Sequence, residues 1–257
     1  MPLLAGTEPF HADGGPVGAL VLHGFTGSPA STRPWAEHLA AAGLTVTAPR
    51  LPGHGTRWQE LNLTRWPDWY AEADRAFARL RASCDHVVVM GLSVGGCLAL
   101  RLAEQHGDEV AGVVVVNVSL TTTDPRARLS GLLRHVVPSM PGVVDDIKKP
   151  GVTEQGYQRL PTRAFHSLRA LWATTVADLG KVRQPLLVFR SAEDHVVEPV
   201  STEILLAGVS STDVEERVLP DSYHVATLDN DAPAIFEGSL AFVRRLVPST
   251  AGEPEPA

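Results

Sequence analysis

The stretch His86-Val87-Val88-Val89-Met90-Gly91-Leu92-Ser93-Val94-Gly95 decides the fold of this chain. It opens on a near-continuous apolar run, the pattern of a strand buried on both faces. Cys97-Leu98-Ala99-Leu100-Arg101-Leu102-Ala103 follows almost at once and reads as a helix. Between them lies G-x-S-x-G. Three fixed residues are a weak pattern: at roughly 7% each for Gly and Ser, it arises by chance in about one chain of this length in ten. Its place between strand and helix carries the weight, because a nucleophile elbow needs strand, sharp turn and helix in that order. Such a turn strains the Ser93 backbone and lifts its hydroxyl above the sheet. Gly91 and Gly95 flank it because a Cβ at either place would hold strand and helix apart. The positive N-terminal end of the helix then faces the serine, where an oxyanion would form. On the motif alone, an ordinary Gly-rich loop is the competing reading.

Outward from the elbow, short β-rich runs alternate with helical stretches. Strands are predicted at Val17–Leu22, Leu44–Ala48, His86–Met90, Val110–Val116, Leu186–Phe189 and Val214–Leu219, with a poorer signal near Phe10. Helices are predicted around Ser31–Ala42, Pro67–Ala82, Val94–His106, Val200–Ala207 and Asp231–Leu246. The expectation is an α/β fold, a mostly parallel central sheet with helices on both faces. From Val118 to Gln184 no convincing strand is found, only helical patterns near Leu129–Val137 and Thr162–Leu179. So long a segment has a purpose in a compact domain, and above the carboxyl ends of the strands it would act as a small helical cap. Residues 1–257 thus read as one domain with a cap insertion at about 118–184. Residues 249–257 read as a frayed tail.

Composition narrows the class. The chain has 257 residues, 44% hydrophobic and 20% charged, with a formal net charge of −7. That balance argues against nucleic acid as a partner. Two cysteines, Cys84 and Cys97, do not make a disulfide framework, and a reducing, cytoplasmic setting is the simpler expectation. Cys97 reads as core packing. No basic region followed by a long apolar stretch opens the sequence, so no signal peptide is read. No apolar run is long enough for a transmembrane helix.

A serine hydroxyl needs a base, and the base needs an orienting acid. In elbow hydrolases these follow in the order Ser, Asp or Glu, His, each after a strand. After Leu186–Phe189 comes Ser191-Ala192-Glu193-Asp194-His195; Asp194 is the candidate acid and Glu193 the competitor. After Val214–Leu219 comes Pro220-Asp221-Ser222-Tyr223-His224, which offers His224 as base. Two backbone donors would form the oxyanion hole. Val94 N–H follows the nucleophile, and Phe25 N–H lies in Val21-Leu22-His23-Gly24-Phe25-Thr26-Gly27, where Gly24 permits close approach. His23 reads as a structural residue holding that loop.

At these residues the chain resembles the α/β-hydrolase family, and within it the bacterial monoacylglycerol lipases and related small-cap carboxylesterases. The resemblance runs from about Phe10 to Val247. It rests on His23-Gly24-Phe25-Thr26-Gly27-Ser28, Pro49-Arg50-Leu51-Pro52-Gly53-His54-Gly55, Gly91-Leu92-Ser93-Val94-Gly95-Gly96, Glu193-Asp194-His195-Val196-Val197 and Ser222-Tyr223-His224-Val225-Ala226-Thr227-Leu228-Asp229. It implies a serine hydrolase that cleaves carboxylic esters through an acyl-enzyme. Ser93 is then the nucleophile, His224 the base and Asp194 the acid, with no metal or organic cofactor. The implied substrate is a small ester such as a monoacylglycerol; transient membrane-surface contact through the cap stays open. Glu154, in Glu154-Gln155-Gly156-Tyr157-Gln158-Arg159-Leu160-Pro161, is implied to bind free hydroxyls of a monoester; a solvated surface glutamate is the competing reading. Leu129, Leu132, Leu133, Val136, Val137 and Met140 recur near helical spacing and suggest an acyl-binding wall or simply core packing. Two alternatives stay open: an acyl thioesterase with the same triad, and a non-catalytic ligand receptor on the same fold.

Overall fold

The computed structural model describes residues 2–247; the tail read at 249–257 lies outside them. In chain order the elements are β1 (Phe10–Ala12), β2 (Val17–Leu22), α1 (Arg33–Ala41), β3 (Thr45–Ala48), α2 (Trp58–Leu61), α3 (Trp66–Ser83), β4 (His86–Leu92), α4 (Val94–His106) and β5 (Gly112–Val116). Then come α5 (Ser130–Val136), β6 (Ser139–Pro141), β7 (Arg159–Pro161), α6 (Thr162–Asp178), β8 (Leu186–Ser191), α7 (Val200–Gly208), β9 (Val214–Leu219) and α8 (Ala232–Leu246).

Seven strands form one sheet in the order β1-β3-β2-β4-β5-β8-β9. Only β1 runs antiparallel, pairing Phe10 with Ala48; every other pair is parallel. The valine runs of the central strands explain this arrangement, since alternate side chains point to opposite faces and both faces are covered. Val87, Val89, Val113 and Val115 pack with Trp69, Phe77 and Leu98 from α3 and α4. Val88, Met90, Val114 and Val116 pack on the other side with Trp35 and Leu39 of α1 and Ile235 and Phe242 of α8.

The chain turns outward from β2 to β3 and then crosses back to β4, so β2 and β4 flank the point where strand order reverses. Ligand crevices in open α/β sheets form at the carboxyl ends of such strands. The segment between β5 and β8 differs from its sequence reading. It holds a two-stranded antiparallel ribbon, β6 with β7, pairing Met140 with Leu160. Three-residue strands are too short to show a period of two, which is why no strand was expected there. The end of α6 leans on the core rather than standing clear of it: Arg101 Nη1 bonds Asp178 at 2.6 Å and Glu104 at 2.7 Å.

Candidate active site

Ser93 sits between β4 and α4 with φ 56 and ψ −119, a left-handed conformation that costs a non-glycine residue about 1–3 kcal/mol. Surrounding hydrogen bonds hold the turn: Ser93 N–H donates to Val116 O at 2.8 Å, and Ser93 O accepts from Gly96 and Ser119. A serine at this helix position ordinarily caps the first turn with its own hydroxyl. Here the strained backbone turns the side chain away, and no such bond forms. A Cβ on Gly24 would lie 3.3 Å from Ser93 Cβ, so the loop after β2 passes directly against the serine. That loop carries Phe25. Neither the Phe25 nor the Val94 N–H donates to a protein group among the described residues.

His23 fixes the same loop. It is fully buried; its Nδ1–H donates to Gly24 O at 2.9 Å and its Nε2 accepts Leu51 N–H at 3.1 Å. Burial holds its pKa down at about 4, so it stays neutral and keeps both bonds. The structural reading of His23 agrees with this geometry, and its partner Leu51 belongs to the second quoted loop, Pro49–Gly55.

His224 and Asp194 meet on loops after β9 and β8. The Nδ1 of His224 lies 2.8 Å from Asp194 Oδ2, and both side chains are nine-tenths buried. Asp194 Oδ1 accepts Val196 and Val197 N–H, each at 2.8 Å. Burial pushes the Asp194 carboxyl up, but His224 and these amide bonds outweigh it and hold it below the usual carboxylate range. For His224 the balance is reversed in sign: burial disfavours the imidazolium, yet Asp194 above all raises its affinity for a proton. With Nδ1 committed to Asp194, Nε2 is the nitrogen that can take a proton in the cavity. Glu193 faces His195 instead, at 3.3 Å, and among the described residues it makes no hydrogen bond to His224.

Ser93, His224, Phe25, Val94 and Glu154 all line one cavity of about 490 Å³. Met140, Leu160, Phe165, Leu168, Trp172 and Val197 give it a mainly apolar wall. The acyl wall expected from the Leu129–Met140 stretch is thus corrected: of the six residues only Met140 lines the cavity. Leu129, Leu132 and Val136 are 57%, 70% and 72% exposed. Helical spacing defines an apolar stripe but not the side on which the protein lies. Glu154 is half-buried in a loop, not on a helix surface. Its seat needs Gly27, whose Cβ would fall 2.7 Å from Glu154 Oε1. Tyr157 anchors that loop by donating N–H to Thr26 O and O–H to Gly53 O.

Sequence reasoning missed the residues that hold these loops together. Asn117, immediately after β5 at φ 46, donates Nδ2–H to Ser191 Oγ and His224 O and accepts Ser191 N–H on Oδ1. Asp229 is buried and accepts the N–H groups of Lys148, Lys149 and Tyr223. Asp229 closes the last quoted motif, which was its only signal. Cys97 is buried beside Thr175, and burial pushes its thiol up to about 12, so it is inert as expected of core packing.

Fold and array together define an α/β hydrolase. Residues 18–231 match the family described as serine aminopeptidase, S33, and the chain belongs to that family. It is 44% identical over 244 residues to a thermostable monoacylglycerol lipase of Bacillus sp. (strain H-257), covering 94% of this chain and 96% of that protein. A carboxylesterase of Bacillus subtilis (strain 168) is 25% identical over 245 residues, covering 93% and 97%. A solved chain described with LipS and LipT, two metagenome-derived lipolytic enzymes, superposes with a TM-score of 0.92 at 40% identity, covering 95% of this chain and all of that one. No helix among the described residues is long and apolar enough to cross a membrane.

Proposed function

We propose that this protein is a serine hydrolase of carboxylic esters, acting on monoacylglycerols and similar short to medium-chain acyl esters. The observation that carries the reading is that His224, paired with Asp194, shares with Ser93 a cavity whose wall is mainly apolar. Such a cavity accepts an acyl chain, and its size is that of a small-molecule site. The likeness to a monoacylglycerol lipase over nearly the whole chain supports the same substrate class. Ser93 attacks the acyl carbonyl while His224 Nε2 takes its proton. Asp194 holds the tautomer and stabilises the imidazolium. The Phe25 and Val94 N–H groups receive the oxyanion, aided by the N-terminus of α4. Water activated by His224 then releases the acid. The residues between β5 and β8 act as the cap. Exposed Leu129, Leu132 and Val136 suit transient contact with a lipid surface, and two free buried cysteines suit a cytoplasmic setting.

The test is a panel of 1-monoacylglycerols of graded chain length beside matched diacylglycerols, triacylglycerols, thioesters and aminoacyl anilides. Turnover confined to the monoesters is expected. A preference for thioesters or for the anilides would remove the substrate assignment while leaving the mechanism.

Glu154 is the proposed contact for the glycerol hydroxyls. Burial pushes its pKa up to about 7, with His224 opposing the rise. Glu154→Gln keeps the shape and removes the carboxylate, which a pKa of about 7 leaves partly ionised at neutral pH. It is expected to raise KM for a monoacylglycerol by roughly tenfold, the worth of one hydrogen bond to a charged group. Hydrolysis of an aryl acetate, which has no such hydroxyls, should keep its KM. Equal KM changes on both substrates would assign Glu154 to packing instead.

A further inference from the structure

One carboxylate joins the base loop to the acid loop from a third direction. Asp146 follows β6, in the segment between β5 and β8, and its side chain is only 10% exposed. Its Oδ2 accepts the backbone N–H of His224 at 3.1 Å and that of His195 at 3.2 Å. Its Oδ1 accepts Nδ1–H of His195 at 2.7 Å, and its carbonyl accepts Val225 N–H at 3.0 Å. Two of these bonds fall on the loop that bears His224 and two on the residue after Asp194. The carboxylate is held by amides and one imidazole; Lys148, two residues on, reaches Asp221 instead.

We propose that Asp146 is a positioning residue for the general base, fixing the His224 backbone against the Asp194 loop and adding a negative charge that favours the imidazolium formed during acylation. The inference rests on the reading of His224 as that base. The charges that act on His224 come from three sides. Asp194 contacts it directly, while Glu154 and Asp146 act from the segment between β5 and β8. His195 partly neutralises Asp146 and is itself held above the ordinary imidazole range by that contact; Glu193 faces its other nitrogen. His224 must be neutral to accept the Ser93 proton, so activity is lost as pH falls through its raised pKa. The acid limb of kcat/KM therefore lies above 6.5, the ordinary histidine value.

Two variants move that limb in opposite directions. Asp146→Asn removes a negative charge near His224, and the limb should move to lower pH by a few tenths to about one pH unit. The looser loop should also lower the plateau kcat by roughly tenfold or more. His195→Gln removes the imidazole that donates to Asp146 and, in its protonated form, offsets the Asp146 charge, so the limb should move to higher pH. The measurement is the pH profile of p-nitrophenyl acetate hydrolysis for wild type and both variants, with thermal unfolding of each. A residue that only stabilised the fold would lower Tm and activity without moving the limb. Limbs that stay in place, or that move in the same direction, would overturn the proposal; if Asp146→Asn does not fold, the direction seen in His195→Gln decides. His224→Gln separates the two levels. Full turnover in that variant removes the base assignment, whereas a dead His224→Gln beside unmoved limbs removes only the role of Asp146.

Discussion

Ser93→Ala is expected to lower kcat for ester hydrolysis by a factor on the order of 10⁶, His224→Ala by a similar factor, and the double variant by no more than either. The non-additivity follows from the proposed chemistry. An alkoxide forms only if a base takes its proton, so removing either partner abolishes the same step. Stability should be nearly unchanged in Ser93→Ala, because Ser93 forms no side-chain cap bond. The bonds that hold the elbow come from the Ser93 backbone, which alanine keeps. The measurement is turnover of a fluorogenic ester, together with labelling by a fluorophosphonate. Wild type should label at Ser93 and the alanine variant should not. An unlabelled wild type would favour a ligand receptor with a disarmed serine. Undiminished turnover in Ser93→Ala would remove the mechanism.

What could be read from the sequence depended on the range of the interaction. The central strands were legible because burial on both faces leaves a local trace: Val87–Met90 and Val113–Val116 are apolar at every position, and all eight are fully buried. Ser93 and Asp194 were legible because each lies just beyond such a strand, and His224 because it lies one short loop beyond the edge strand β9. Asn117, Asp146 and Asp229 were not, although they fasten those loops. Each acts by binding amides or carbonyls remote in sequence, and an Asn or Asp in a loop reads locally as a turn residue. The wall of the cavity failed for a related reason. Phe165, Leu168 and Trp172 belong to α6, and only packing reveals which face of that helix meets the cavity.

Gly95→Ala should damage stability and catalysis together, because the elbow leaves no room for one more carbon. A Cβ there would lie 2.1 Å from Leu22 O and 2.7 Å from His23 O. Both are backbone atoms at the end of β2, so no rotamer change relieves the clash; α4 or the loop after β2 must move. Overpacking of this kind costs roughly 1–3 kcal/mol or more, and in a domain of this size about 3 kcal/mol lowers Tm by roughly 6–12 °C. The loop that must give way carries Phe25, while α4 carries Val94, so the two proposed oxyanion donors would separate. Loss of one donor costs about 10²–10³ in kcat. Gly43→Ala is the control for backbone strain without a clash: unlike Gly95 it lies at positive φ, and its added Cβ would meet nothing within 4 Å. It should lose a little stability from the backbone conformation and keep full turnover. Thermal unfolding and active-site-titrated kinetics of the two variants separate strain at the elbow from strain anywhere in the chain. Wild-type Tm and kcat in Gly95→Ala would mean that the strand and helix do not meet as closely as the Leu22 contact requires, and the oxyanion geometry argued from that contact would fall with it.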